Sequence, residues 1–220
     1  MREVVSGLWQ IPLVPRDVVN AYLAGDVLID AGTPGMGKKL PERLSGRPLA
    51  AHAITHAHGD HAGGSKALCD ALGVELGAPA GDADDAERGS QVIAEGTWAT
   101  PLLRRALGSP PQPIARRLVE GDEVGGFTVI DTPGHSPGHV SYWRESDRTL
   151  IVGDVFFNNN ILTTRRGLRQ PARIFTVDPA RNRQSMRRLI DLDPDVAVCG
   201  HGPPIRGAAP KLKGFLDSLE

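Results

Sequence analysis

Apolar residues recur at short intervals from Val4 to Leu13, again from Val18 to Leu23, and from Val27 to Ile29. Such short runs predict strands, and Gly25-Asp26 between the last two is a hairpin turn signal. Asp30-Ala31-Gly32-Thr33-Pro34-Gly35 breaks the pattern, residues 38–46 suit a short helix, and Pro48 to Ile54 reads as a buried strand. Ser65 to Leu72 is expected to be a helix with Ser65 as N-cap and Gly73 past its end, followed by a strand over Val74 to Leu76. Residues 79–117 differ. They carry an acidic patch (Asp82, Asp84, Asp85, Glu87), a helical stretch near Thr97–Leu107, and then Ser109-Pro110-Pro111-Gln112-Pro113. Prolines remove donors and fix the backbone, so this segment cannot be regular throughout. It is expected to be an insertion covering a cleft, with a plain surface excursion as the alternative.

After Leu118 the strand pattern returns. Phe127 to Asp131, Val140 to Trp143 and Thr149 to Val152 are predicted strands, with turns at 120–123 and 145–148. An arginine-rich loop over 163–173 precedes a helix over Pro179 to Leu192, whose Met186, Leu189 and Ile190 share one face. Asp195 to Val198 is the last buried strand, and an amphipathic helix over Pro210 to Leu219 ends the pattern. The two halves look loosely alike, each running through strands, a polar loop and a helix.

Composition adds bounds. The 220 residues suffice for one substantial domain, and a formal net charge of −1 gives no global attraction to nucleic acid or membrane. No apolar run approaches a membrane span and no signal peptide opens the chain, so the expected location is cytoplasmic. Cys69 and Cys199 lie in apolar surroundings and are expected to be free thiols, with a disulfide left open.

Chemistry concentrates in Thr55-His56-Ala57-His58-Gly59-Asp60-His61, which holds three of the seven histidines. Neutral imidazoles and a carboxylate suit Zn²⁺, Mn²⁺ or Fe²⁺. At a strand end, alternate positions would turn His56 and His58 to one side, with Asp60 and His61 facing a second ion. The loops after other predicted strands carry His135, Asp154 and His201, so strand ends at one edge would bring all seven to one cleft.

These residues resemble the metallo-β-lactamase superfamily. The resemblance rests on Thr-His-Ala-His-Gly-Asp-His at 55–61, Thr-Pro-Gly-His at 132–135, Gly-Asp at 153–154 and Gly-His-Gly at 200–202, in that order. It implies an α/β fold, a four-layer αββα sandwich spanning 1–220, with the site at one edge of the paired sheets. It also implies that His56, His58 and His135 hold one ion, that Asp60, His61 and His201 hold the other, and that Asp154 bridges them. The histidine after Pro-Gly takes the ligand role, leaving His139 to support or packing and His52 to structure. Asp30 fits an outer role on a ligand imidazole, with turn capping as the alternative.

Several departures narrow the activity that the resemblance implies. Asp154 stands where many true β-lactamases carry cysteine or serine, and His58 where flavo-diiron proteins carry glutamate. Nineteen residues follow His201, so the helical domain by which glyoxalase II enzymes hold glutathione is expected to be missing. No tyrosine follows Tyr142, so the phenol that lactonases of the superfamily place beyond the bridging aspartate has no counterpart. Asn158, Asn159 and Asn160 are candidate substrate donors or plain turn residues. The arginines of 165–188 read as a solvated face, although Arg165 or Arg166 could meet an anionic substrate group. The expectation is a hydrolase with two divalent ions, Zn²⁺ first and Fe or Mn as alternatives. It would cleave an ester, lactone or thioester of a small molecule by a metal-bridging hydroxide, with Asp60 as the catalytic carboxylate. A one-iron oxidoreductase like the persulfide dioxygenases and a non-catalytic metal-stabilised binding domain are the alternatives. Oligomeric state is not legible.

Overall fold

The computed structural model describes residues 1–90, 102 and 107–219. Its first sheet contains β1 (Arg2–Val5), β2 (Leu8–Pro12), β3 (Asn20–Ala24), β4 (Val27–Ile29), β5 (Ala51–Ala53), β6 (Leu76–Pro79) and β7 (Arg116–Leu118), ordered as in the chain. β1 to β4 are antiparallel and β4 to β7 parallel. Between them, among the described residues, lie the short α-helices α1 (Leu40–Arg43), α2 (Gly59–Ala62), α3 (Ser65–Leu72) and α4 (Ala83–Arg88). The second half supplies β8 (Glu123–Val124), β9 (Phe127–Asp131), β10 (Val140–Arg144) and β11 (Thr149–Gly153). Next come β12 (Phe157–Asn159) and β13 (Arg166–Arg169), which form a separate ribbon. After these come α5 (Pro179–Asp191), β14 (Val196–Cys199), β15 (Ile205–Arg206) and α6 (Ala208–Asp217). The second sheet runs β15-β14-β11-β10-β9-β8.

Side-chain alternation builds the layers. Tyr22 and Ile29 of the first sheet meet Val129, Val140, Tyr142, Ile151, Val196 and Val198 of the second in one buried core. The residues between them point the other way. Leu23 and Leu28 pack under Leu40, Leu44 and Leu68, while Leu150, Val152 and Ala197 pack under Met186, Leu189, Leu212 and Leu216. A strand buried on both faces needs apolar residues at every position, which is why β3, β11 and β14 read as continuous apolar runs. Helix, sheet, sheet and helix therefore stack as four layers, as the resemblance implies.

The two sheets are joined by backbone at matched points. The Tyr22 hydroxyl donates to Cys199 O at 2.6 Å, and the Tyr142 hydroxyl donates to Ile54 O at 2.7 Å. Asn20 N donates to Gly200 O at 3.0 Å, and Val140 N donates to Thr55 O at 2.9 Å. Strand registers make these equivalent pairs. Tyr22 lies opposite Ile29 and Tyr142 opposite Ile151, while Ile29 pairs with Ala53 and Ile151 with Val198. Each half thus clamps the segment that leaves the other half's inner parallel strand, directly before His56 and His201.

Several local expectations change. The apolar run from Val4 to Leu13 folds back on itself, because Gly7 takes φ +72° between β1 and β2. Gly64, not Ser65, precedes the first turn of α3, and the Ser65 hydroxyl instead meets His52 Nε2 at 2.7 Å. The expected strand at 74–76 lies at Leu76–Pro79. The acidic patch forms α4 rather than irregular chain, with Asp84 paired to Arg117. The arginine-rich loop contains β13, whose long polar side chains mask its alternation. The helix expected near Thr97–Leu107 lies outside the described residues, apart from Leu102 and Leu107. Both cysteines are free.

His52 is structural. Its Nδ1 donates to Leu28 O at 2.9 Å and its Nε2 accepts from Ser65 Oγ, so both nitrogens are satisfied in the neutral ring. Burial pushes its pKa down to about 4, against weaker support for the charged form from Leu28 O and Asp30. The unfolded chain therefore binds a proton that the fold excludes between about pH 6.5 and 4. Stability of the metal-free protein should fall as pH drops through that window, and His52→Gln should remove part of the slope in denaturant titrations across pH. The clamps are tested in the same assay at neutral pH. Tyr142→Phe leaves Ile54 O without its hydroxyl and should cost about 1–3 kcal/mol. Tyr22→Phe should cost less, because Asn20 Nδ2 also reaches Cys199 O.

Candidate metal centre

The clamped segments open into the ligand loops. β5 ends at Ala53, so His56 and His58 stand on a loop rather than at alternating strand positions. α2 then carries Asp60 and His61 on one short turn. The chain beyond β9 brings in His135, the end of β11 brings in Asp154, and the end of β14 brings in His201. All seven side chains come together. Ligand atoms of His56, His58 and His135 lie within 4.8 Å of one another, as do those of Asp60, His61 and His201, and those of His56, His61 and Asp154.

Asp154 touches both groups. Its Oδ2 lies 3.4 Å from His135 Nε2 and 3.2 Å from His201 Nε2, and its Oδ1 lies 3.3 Å from His61 Nε2. Nε2 of His56 and His135 is buried with no hydrogen-bond partner, and His61 Nε2 faces Asp154 Oδ1 without hydrogen-bond geometry. Buried imidazole nitrogens left unpaired and turned on one point are costly unless a cation takes their lone pairs. Gly200 keeps the space open, since a Cβ there would sit 2.4 Å from both Asp154 Oδ1 and His61 Cε1. The donor set and the space fit divalent metal.

The neighbours of these residues fix ring orientation. Asp30, in the left-handed region at φ +61°, accepts from His61 Nδ1 at 2.8 Å and from Thr55 N at 2.8 Å. The Thr55 hydroxyl bonds the same carboxylate and lies 2.9 Å from His56 Nδ1, so one aspartate orients two rings and turns each Nε2 inward. His135 Nδ1 meets Thr176 Oγ1 at 3.3 Å, and His201 Nδ1 donates to Val18 O. His139 differs from His135. It spends Nδ1 on Thr132 Oγ1 at 2.8 Å and accepts the Asp154 backbone N–H on Nε2 at 2.9 Å, so it places the aspartate between the two groups.

The electrostatics divide the cluster. Burial, then the neighbouring imidazoles, push the pKa values of His56 and His135 well down, which leaves their lone pairs free at neutral pH. Burial also opposes charge on His61 and His201, but Asp154 and the other nearby carboxylates overcome it and raise both, His201 to about 10. Burial works against ionised Asp154 too, and His201 and His61 nevertheless hold it well below the usual carboxylate range. Metal entry must therefore displace protons from this side of the cluster.

Asn158 and Arg165 are not brought to the cluster. Asn158 Nδ2 donates to Pro203 O, and its N–H to His201 O, so it braces the His201 loop. Arg165 is exposed on the turn between β12 and β13, where its carbonyl accepts from Asn160 N, and it does not line the cleft. Sequence reasoning missed Asp82, which it placed in a surface patch. Asp82 is buried and accepts from Ala57 N at 3.0 Å, Ser136 Oγ at 2.6 Å and Gly138 N at 2.6 Å, joining the His56–His58 loop to the His135 loop. An aspartate one residue before a helix and after a glycine was its only local signal. Phe157 was also missed. Its ring lies 4.4 Å from that of His201 and 6.4 Å from that of His135, centroid to centroid.

A four-layer sandwich whose loops gather histidines and aspartates at one sheet edge defines a metal-site protein of the metallo-hydrolase type. The sequence profile of the metallo-β-lactamase superfamily matches residues 14–201, and the chain belongs to that superfamily. It is 28% identical to the probable metallo-hydrolase YflN of Bacillus subtilis (strain 168), over 82% of this chain and 76% of that one. It is 31% identical to a hydroxyacylglutathione hydrolase of Rhodospirillum rubrum, over 67% of this chain but only 46% of that enzyme. Among solved structures, TTHA1623 in a di-iron-bound form superposes with a TM-score of 0.70 at 30% identity, covering 91% of this chain and 96% of that one. Membership of this fold implies divalent metal ions. Among the described residues, no helix is long and apolar enough to cross a membrane.

Because Asp30 orients two imidazoles at once, Asp30→Ala should weaken metal binding by about 10–100-fold. Competition with a chromogenic chelator measures this, and unchanged affinity would show that the rings are held without it.

Proposed function

We propose that this chain is a divalent-metal hydrolase cleaving an ester, lactone or thioester. His56, His58 and His135 would hold one ion, Asp60, His61 and His201 the other, and Asp154 would stand between them. The observation that carries this reading is Asp154, whose two oxygens reach His135 on one side and His61 and His201 on the other. When bound, such ions make water a nucleophile near neutral pH and polarise a carbonyl oxygen.

The chain's own residues do the rest. Asp60 lines the cleft, half-exposed, with Oδ2 3.4 Å from His201 Nε2. Burial works against its charge, but His61 and His201 hold its pKa well down, so it stays an ionised acceptor that can orient the attacking water. Phe157 shields His135 and His201 on the substrate side and keeps bulk water from the reacting bond. We read the chain as one domain, with Leu107 and Gly108 of the segment 79–117 lying at the cleft. That reading is supported where Leu107 O packs so close to Gly59 that a Cβ there would lie 2.0 Å away. The substrate would be a small molecule. Iron is the specific alternative to zinc, because TTHA1623 carries two irons in a similar fold.

Elemental mass spectrometry of protein purified without added metal should give about two divalent ions per chain. Chelation should abolish hydrolysis and zinc restore it. Asp60→Ala should lower kcat by about 10²–10⁴-fold while the protein stays folded. A near-wild-type rate in that variant would remove Asp60 from the mechanism. One iron per chain, with oxygen uptake on a persulfide, would move the protein to thiol oxidation.

A further inference from the structure

The space beside the metal cluster has a chemistry of its own. A cavity of about 360 Å³ opens there, with His58, Asp60, His135, Asp154 and His201 at one end. Its other walls include Thr33, Pro34, Leu107, Phe157, Ile161 and Phe175. Among the described residues, the charged side chains lining it are those of the metal cluster itself. Beyond the cluster's own groups and Thr33, the described side chains that line the cavity are apolar.

We propose that this cavity is an acyl-chain pocket, and that the substrate is an ester, lactone or thioester of an unbranched aliphatic acid. The inference rests on the hydrolase reading and names its substrate class. Three features support it. First, the apolar wall begins at the cluster, because the Phe157 ring packs on His201, so an alkyl chain attached to the reacting carbonyl meets hydrocarbon at once. Second, the turn that carries Ile161 is built rather than loose. Asn160 Oδ1 accepts from the N–H groups of Leu162 and Thr163 at 3.0 and 2.8 Å, which fixes Ile161 in the wall. Third, exposed apolar side chains neighbour the wall residues in the chain. Leu162 and Ile174, the chain neighbours of Ile161 and Phe175, are 88% and 54% exposed, and Leu107 is 40% exposed. Leu107 both lines the cavity and is exposed, so a chain too long for the cavity would leave it past apolar surface.

The recognition is hydrophobic, so it predicts a slope rather than a single preferred compound. Each added methylene that leaves water should raise kcat/KM about fourfold until the cavity is filled. The test uses the metal-loaded full chain with the para-nitrophenyl esters of acetate, butyrate, hexanoate and octanoate. Calorimetric titration of the corresponding free carboxylates accompanies it. A rising slope, flattened by Ile161→Asp and reduced by Phe175→Ala, supports the pocket, with the octanoate-to-acetate ratio falling about tenfold or more. The two variants sit on different segments, so misfolding of one leaves the other informative. Turnover of the acetate ester with a flat or falling slope overturns the acyl-chain inference and leaves the hydrolase reading standing. No turnover of any ester, with octanoate still binding tighter than acetate and Ile161→Asp abolishing the difference, overturns the hydrolase reading and keeps the pocket's ligand class. No turnover and no chain-length dependence in binding overturns both.

Discussion

Four hydrogen bonds between the sheets hold this molecule in its working arrangement. Tyr22 to Cys199, Tyr142 to Ile54, Asn20 to Gly200 and Val140 to Thr55 all end on backbone oxygens at the exits of two inner parallel strands. Two sheets packed only by apolar side chains could slide by fractions of an ångström at little cost, since such contacts are non-directional. Hydrogen bonds are directional and buried, so they fix the stagger. His56 and His201 follow one residue or two after the clamped carbonyls. Their separation is therefore set by the sheets' mutual register rather than by loop conformation.

That precision matters because the cluster is unfavourable in isolation. Five buried imidazoles and a buried carboxylate share a small volume, and several ring nitrogens have no protein partner. The fold must supply the stability that holds them, and the outer contacts show how. Asp30 with Thr55, Asp82 with Ser136, and His139 with the Asp154 N–H each tie a ligand loop to a neighbouring loop or strand. A cation that binds this arrangement and not the unfolded chain adds its binding free energy to stability. Affinity and fold are thus coupled, and the orienting residues belong to both.

The clustered histidines and aspartates were legible in the sequence because they stand in dense, ordered motifs, and the layers because buried strands leave apolar runs. Ser65 and Asp82 were misread for one reason. A polar side chain's partner is set by tertiary approach, and nothing nearby in the chain reports it. Asp82 sits among exposed acids, yet its carboxylate collects three donors from two distant loops. β13 was hidden because Arg166 and Arg169, on a two-stranded ribbon outside the main sheets, never needed apolar alternation. The loop carrying His56 and His58 corrected a subtler error. The two rings converge through loop geometry and hydrogen-bonded support, not through strand periodicity.

The repeated frame also explains where chemistry and selectivity reside. His56 and His201 occupy equivalent exits in the two halves, each one strand beyond the partner of its tyrosine. The cavity wall breaks that equivalence. Phe157, Ile161 and Phe175 lie between β11 and β14, where the first half has only the shorter path from β4 to β5, and Leu107 comes from the segment between β6 and β7. Changes in the wall residues of those connections leave the clamps untouched, because none of the four clamping bonds involves those connections. The separation of His56 and His201 is accordingly a property of the sheets, and the cavity wall a property of the connections. The same metal residues can then serve different compounds in proteins that share the frame, and in this chain the insertions offer hydrocarbon.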